Sequence, residues 1–201
     1  MPNYPTLALT LAGLLIVPLV QAQKRFQPGY LVLQRGDTLH GSFEAPTRNT
    51  VMLGVTFKKN PQDADKLVYQ LKLIRSLQIT GGKTYMVRKM QPIMGRDTLR
   101  ILLEPLVLGR ANLYRSSRNV FTNNPEEEMF GNSLSSVYYY IEHGTETKRP
   151  PYLLNSSSYR QDLSSLFSDC GAAPAVAGKF SESNLIQLVR QYNACPTELN
   201  R

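Results

Sequence analysis

The sequence predicts an α+β protein: an antiparallel β sandwich or rolled sheet followed by a short C-terminal helical pair. Three observations carry that expectation. From Gly29 to about Ser116 apolar residues recur at every second position, as on strands with one wet face. Arg35-Gly36-Asp37 and Gly81-Gly82 punctuate this stretch as tight turns. Helical spacing begins only after the Lys148-Arg149-Pro150-Pro151 linker, which is expected to be extended. The chain divides accordingly into a leader over 1–22, a basic β-rich domain over 23–145 and a helical segment over 146–201 packed on it.

The leader is an apolar run from Leu7 to Val20, shorter than the roughly 20 residues of a membrane-spanning helix and interrupted by Gly13 and Pro18. Val20-Gln21-Ala22 places tolerated side chains at the two positions a signal peptidase reads, so cleavage is expected between Ala22 and Gln23. The residues before the run carry no Lys or Arg, a departure from the usual leader. The first cysteine is Cys170, so the leader offers no thiol for acylation. The expected address is exported: periplasmic, outer-envelope-associated or secreted. No transmembrane span is expected in the mature chain.

In the β-rich domain, Leu31 and Leu33 lead into the Arg35-Gly36-Asp37 turn, and Leu39, Gly41 and Phe43 return from it. That tripeptide spells an adhesion motif, but Gly and Asp are also what a hairpin turn requires. Val51, Leu53, Val55 and Phe57 alternate as a second strand pattern ending in Lys58-Lys59, and Asn60 to Asp65 is a polar loop. Leu67, Tyr69, Leu71 and Leu73 read as a further strand, followed by Leu77 and Ile79, the Gly81-Gly82 turn, and Tyr85 and Val87. Pro105 interrupts the run from Ile101 to Leu108, which predicts a bulged, split or edge strand. Leu113-Tyr114 closes this part. Residues 116–135 have turn and solvation character, with Glu126, Glu127 and Glu128 in succession. Val137 to Ile141 is one more strand.

For the helices, Ser158 with Gln161 matches a capping box, and Tyr159, Leu163, Leu166 and Phe167 share a face. Asp169-Cys170-Gly171 stops that helix, and Ala172 to Ala177 is expected to form a further turn. Ser181 caps the last helix, whose stripe is Leu185, Ile186, Val189 and Tyr192, and Pro196 ends it. In an exported chain Cys170 and Cys195 are expected to form a disulfide worth about 3 kcal/mol, two buried thiols being the alternative. The bridge would pin the helix ends, giving an antiparallel pair.

Charge is uneven. The net charge is +8, but residues 24–118 hold 17 Lys/Arg against 6 Asp/Glu, while residues 119–201 hold 6 against 9. Three readings follow. Lys58, Lys59, Lys66, Lys72 and Arg75 could face an anionic envelope polymer, lipid head groups or an acidic protein. Scattered cations could instead solvate strands and blunt edges. The acidic second part could also dock on the basic first. Nucleic acid is not expected, because the chain is exported and interleaved aromatic platforms are not evident.

Motifs for chemistry are scarce. His40 and His143 are the two histidines, and neither Asp37-x-x-His40 nor Glu142-His143 has metal-ligand spacing. Nucleophile-elbow, phosphate-loop and dinucleotide motifs are absent, as is Cys-x-x-Cys. No cofactor or catalytic residue is assigned. Asn155-Ser156-Ser157 fits an N-glycosylation sequon, which matters in a eukaryotic secretory pathway.

The leader, Gly29-Tyr30 opening a strand, and Gly36-Asp37-Thr38-Leu39-x-Gly41 resemble uncharacterised exported proteins of Bacteroidetes-type bacteria. Asp169-Cys170 followed by Tyr192-Asn193-x-Cys195 is similar to the ends of that group, in which Cys-Pro often stands where this chain has Cys170-Gly171. The resemblance implies an exported β-rich protein and carries no activity. The function expected is a non-catalytic envelope or secreted binding or structural module. A carrier of a small lipid or apolar ligand is the alternative, and a hydrolase of envelope polymers ranks third.

Overall fold

Alternation of Leu31 and Leu33 with Tyr30 and Val32 gives β1 (Phe26–Leu33), and Gly36, at φ 101°, turns the chain into β2 (Thr38–Glu44). The Leu33 N–H bonds the Asp37 carbonyl at 2.8 Å and the Gly36 N–H bonds the Leu33 carbonyl at 3.0 Å. These coordinates are a computed structural model that describes residues 26–46, 53–90, 99–116, 137–143, 149–170 and 175–196. β3 (Val55–Lys58) and β4 (Leu67–Tyr69) form the next hairpin, a 3-10 turn spans Leu71–Leu73, and β5 (Ile74–Ile79) returns beside β1. Gly81, at φ 67°, leads into β6 (Thr84–Met90). β7 (Leu99–Val107), β8 (Ala111–Ser116), β9 (Tyr138–His143) and β10 (Tyr152–Leu154) follow. Helices α1 (Tyr159–Leu166) and α2 (Glu182–Asn193) complete the order.

The strands make one antiparallel open sheet in the order β10-β9-β8-β7-β6-β5-β1-β2-β3-β4. It is therefore the rolled sheet, not the sandwich, of the two expected forms. The roll has a geometric cause. In a flat sheet β4 and β5, separated by three strands, would lie roughly 19 Å apart. The chain from Tyr69 to Ile74 can span at most about 17 Å. The first half must therefore curl until β4 approaches β5. Leu71 of the 3-10 turn, 4% exposed, fills the curl with Leu31, Phe43, Val55, Ile74 and Leu77. The same turn packs on β7.

β7 serves both halves. β6 pairs with Leu99 to Leu103, whereas β8 pairs with Glu104 to Val107 through a register shift between Pro105 and Val107. Pro105 lies beyond the end of the β6 ladder, where its missing N–H removes no bond on that side. A second core gathers Ala111, Leu113, Ile141, Leu154, Leu163, Phe167, Leu185, Val189 and Tyr192 between the sheet and the helices. Tyr114 and Tyr140, from the alternate positions of β8 and β9, join Ile101, Leu103 and Met90 in a third cluster.

Several expectations need correction. Leu53 is an exposed turn residue, and the second strand pattern begins as a strand only at Val55; Val51 lies outside the described residues. The strand read through Leu73 ends at Tyr69, because Leu71 is needed inside the curl while Leu73 is exposed. The segment assigned to helices contributes a strand, β10, paired with β9 from Tyr152 opposite Ile141 to Leu154 opposite Tyr139. The capping box does not form: Ser158 has αR dihedrals and its hydroxyl donates to Asp162 at 2.9 Å. Ser181 does cap α2, accepting from the Asn184 N–H at 3.4 Å. The bridge joins two C-terminal ends, which gives no reason for an antiparallel pair; α2 packs on β8 and β7. Of the expected 172–177 turn, Ala175 to Ala177 form no regular element and the rest lies outside the described residues.

Gly41 exposes how tightly β2 meets β3. A Cβ there would lie 2.2 Å from Phe57 Cε2 and 2.5 Å from the Lys58 carbonyl oxygen. Gly41→Ala is expected to cost about 1–3 kcal/mol through overpacking, read as a lower urea midpoint. An unchanged midpoint would show that the β2–β3 contact is looser than described.

Candidate functional site

One group of ionisable residues converges where the ends of β9, α1 and α2 meet the turn before β8. Asn193, the last residue of α2, acts there as a strand partner. Its Nδ2 donates to the Ala111 carbonyl at 2.9 Å, and its Oδ1 accepts the Ala111 N–H at 2.7 Å. Gly109 permits this approach, since a Cβ would lie 2.6 Å from Asn193 Nδ2. The buried Tyr192 donates its hydroxyl to both oxygens of Asp169 at 2.8 and 3.1 Å. His143 Nε2 lies 3.0 Å from that hydroxyl and 3.7 Å from the Asp169 carboxylate. Arg110 pairs with Asp169 at 2.6 Å and places its guanidinium 4.7 Å above the Tyr192 ring, which Phe167 stacks at 4.4 Å.

Burial raises the Asp169 carboxyl, but the Tyr192 and Arg110 hydrogen bonds and the Arg110 charge outweigh it and hold the group below the usual carboxylate range. Burial and then the Asp169 carboxylate push the Tyr192 hydroxyl far above its ordinary value, so it remains a donor. Such a tyrosine is a fixed hydrogen bond and not a proton shuttle.

Two further networks tie the basic strands to later acids. Glu104 accepts from Lys83 at 2.9 Å and from Arg115 at 2.6 Å, while Arg115 also holds Glu182 of α2 at 2.8 Å. Tyr139 donates to the same Glu182 at 3.3 Å. Burial raises the Glu104 carboxyl, yet the Arg115 and Lys83 hydrogen bonds bring it below its ordinary value. Arg88 reaches Tyr114 at 2.9 Å and Glu142 at 3.2 Å, and the Tyr114 hydroxyl donates to Glu142 at 2.7 Å. Burial, then the Glu142 bond, raises Tyr114 well above the usual tyrosine range.

A recess of about 250 Å³ opens in front of Glu104, lined by Lys83, Tyr85, Leu102, Arg115 and Ser116. A general acid or base is ordinarily a group with pKa drawn toward neutrality. Glu104 is drawn the other way and already accepts from two cations, which fits a clamp. The larger groove, about 650 Å³, is open and lined by Ala175, Asn184, Gln187, Leu188 and Gln191 among others. Neither space is the closed apolar chamber of roughly 300 Å³ or more that a carrier would need.

Of the residues singled out in the sequence, Cys170 and Cys195 are bonded, with Cα atoms 6.1 Å apart. Lys59, Lys66, Lys72 and Arg75 are exposed and have no ion-pair or hydrogen-bond partner among the described residues. Lys58 is engaged differently: it donates to the Asp63 carbonyl at 2.6 Å and stands 4.9 Å over the Phe26 ring. His40 is exposed, beside Tyr30. Arg35 pairs with Asp37 across the turn they share. Ala22, Gln23 and Glu126 to Glu128 lie outside the described residues. Among the described residues no group of three or more His, Cys, Asp or Glu could hold a metal ion, and no helix is long and apolar enough to cross a membrane. Arg110, His143, Asp169, Tyr192 and Asn193 were not singled out as a cluster. Their one signal is that Asp169 and Asn193 stand next to or near the cysteines.

Both Asp169 and Glu104 have folded-state pKa values below their ordinary 3.8 and 4.5. The stability they add is complete above those ordinary values and is lost as pH falls through the lower folded ones. Tm is expected to drop as pH falls below about 4, and Asp169→Asn should flatten that drop. An identical acid profile for the variant would dismiss the linkage. Replacing both cysteines by serine is expected to lower stability by about 3 kcal/mol in denaturant titration. No protein-family model, no curated protein and no solved structure matches this chain.

Proposed function

We propose that the protein is an exported, non-catalytic binding or structural module that meets an anionic partner of the cell envelope or its surroundings. The observation that carries this reading is the division of labour among the cations. Arg88, Arg110 and Arg115 are used internally, pairing with Glu142, Asp169 and Glu182 of the acidic part. Part of the charge asymmetry is thus internal docking. Lys59 and Lys66, flanking the β3–β4 loop, and Lys72 and Arg75, after β4, are left exposed, with no ion pair among the described residues. Exposed cations outside ion pairs attract anions, and that attraction is sensitive to salt.

The leader supports the compartment, and the cysteine pair fits an oxidising one. Expressed with its own leader, the protein is expected outside the cytoplasm with Gln23 as its N-terminal residue. Recovery of the intact Met1 chain in the cytoplasm would overturn the export reading. For the binding reading, mature protein is passed over polyglutamate resin and mixed with phosphatidylglycerol vesicles. Retention should fall with salt and weaken roughly tenfold when Lys59, Lys66, Lys72 and Arg75 are changed to Glu. Equal behaviour of the variant, or no retention on either probe, would refute it.

A further inference from the structure

Among the described residues β4 is the last strand on one side of the sheet and pairs only with β3, so its outer backbone has no ladder partner there. Its side chains are not those of a solvated edge. Leu67 is 58% exposed and Val68 62%, and Leu53, in the turn before β3, is 72% exposed. Gly54 brings that turn against β4, since a Cβ on it would lie 2.6 Å from the Tyr69 carbonyl oxygen and 3.2 Å from Val68 Cγ1. Two exposed apolar side chains of β4, with a third in the turn packed against it, therefore accompany a strand edge that has no ladder partner among the described residues. Lone surface leucines need no explanation, but apolar groups gathered on an unpaired strand favour strand addition.

Charge selects what can be added. Lys59 and Lys66 flank the loop of this hairpin, and Lys72 and Arg75 follow β4. Against them stand Asp63, which accepts from the Asn60 backbone N–H at 2.8 Å, and Asp65. From Val55 to Arg75 the chain carries five Lys/Arg and two Asp/Glu. A second copy would bring a hairpin of the same net positive charge against this one, which is unfavourable. An extended segment with acidic and apolar residues in alternation would satisfy all three features. Its backbone would complete the ladder, its apolar side chains would cover Leu67 or Val68, and its carboxylates would meet Lys59 and Lys66.

We propose that β4 is a docking edge for an acidic, extended polypeptide segment of a partner protein, added as an eleventh strand. This rests on the anionic-partner reading above and narrows it from any polyanion to a β-forming acidic peptide. The probe is a labelled peptide of about eight residues alternating Val and Glu, followed by anisotropy. Oligoglutamate of the same charge and phosphatidylglycerol vesicles are the comparators. The alternating peptide should bind at least roughly tenfold more tightly than oligoglutamate and should slow amide exchange at Leu67 to Tyr69. Val68→Lys, at an exposed site, should weaken it by a similar factor, as should Lys59→Glu with Lys66→Glu.

Equal binding of both peptides, or unchanged binding by Val68→Lys with unprotected β4 amides, overturns strand addition. If oligoglutamate or vesicles still bind in that case, the anionic-partner reading stands while this narrower one falls. If no anionic probe binds, both fall. Should Val68→Lys fail to fold by circular dichroism, the charge-reversed pair and the exchange footprint decide the matter.

Discussion

Everything in the second half of the molecule is positioned through one strand. β7 is held by β6 along its first five residues and hands its last four to β8, with Pro105 at the transfer. A residue without a donor N–H is tolerated in a central strand only where a ladder stops or shifts, and here both happen together. β7 carries Leu102 into the first core and Val107 into the second, so a single strand packs into both. The roll and the helix-covered meander therefore share one continuous strand.

The helices are fastened at their C-terminal ends. Cys170 and Cys195 are covalently joined, Asp169 takes the Tyr192 hydroxyl, and Asn193 completes the backbone of Ala111. Within the short motifs Asp169-Cys170 and Tyr192-Asn193-x-Cys195, Asp169 meets Tyr192 and Cys170 meets Cys195, while Asn193 turns to Ala111. Internal pairing likewise accounts for much of the charge pattern, since three arginines of the basic part each hold one acid of the acidic part.

How far the sequence could be read follows from where local and distant forces agree. The hairpins at Gly36 and Gly81 were legible because a positive φ is a local demand that glycine meets. Leu71 and Leu73 fit a strand period equally well, and only closure of the curl decides that one is buried and the other not. β10 was hidden because three residues after two prolines carry too little pattern to register. Ser158 and Gln161 had the spacing of a cap, but Asp162 competes for the hydroxyl. The cysteine pair was legible from its count, together with the export that the leader leads one to expect. The Arg110–Asp169–Tyr192–His143 cluster was not, because its members lie far apart in the chain and a tyrosine at helical spacing reads as core.

The strand order also carries a history. β1 is first in the chain but lies between β2 and β5, so the roll closes only once β5 has come back past three intervening strands. From β5 onward each new strand is laid on the one just made, through β10, and the helices come last. A chain emerging N-terminus first would meet its one slow, long-range pairing early and thereafter add neighbours in sequence.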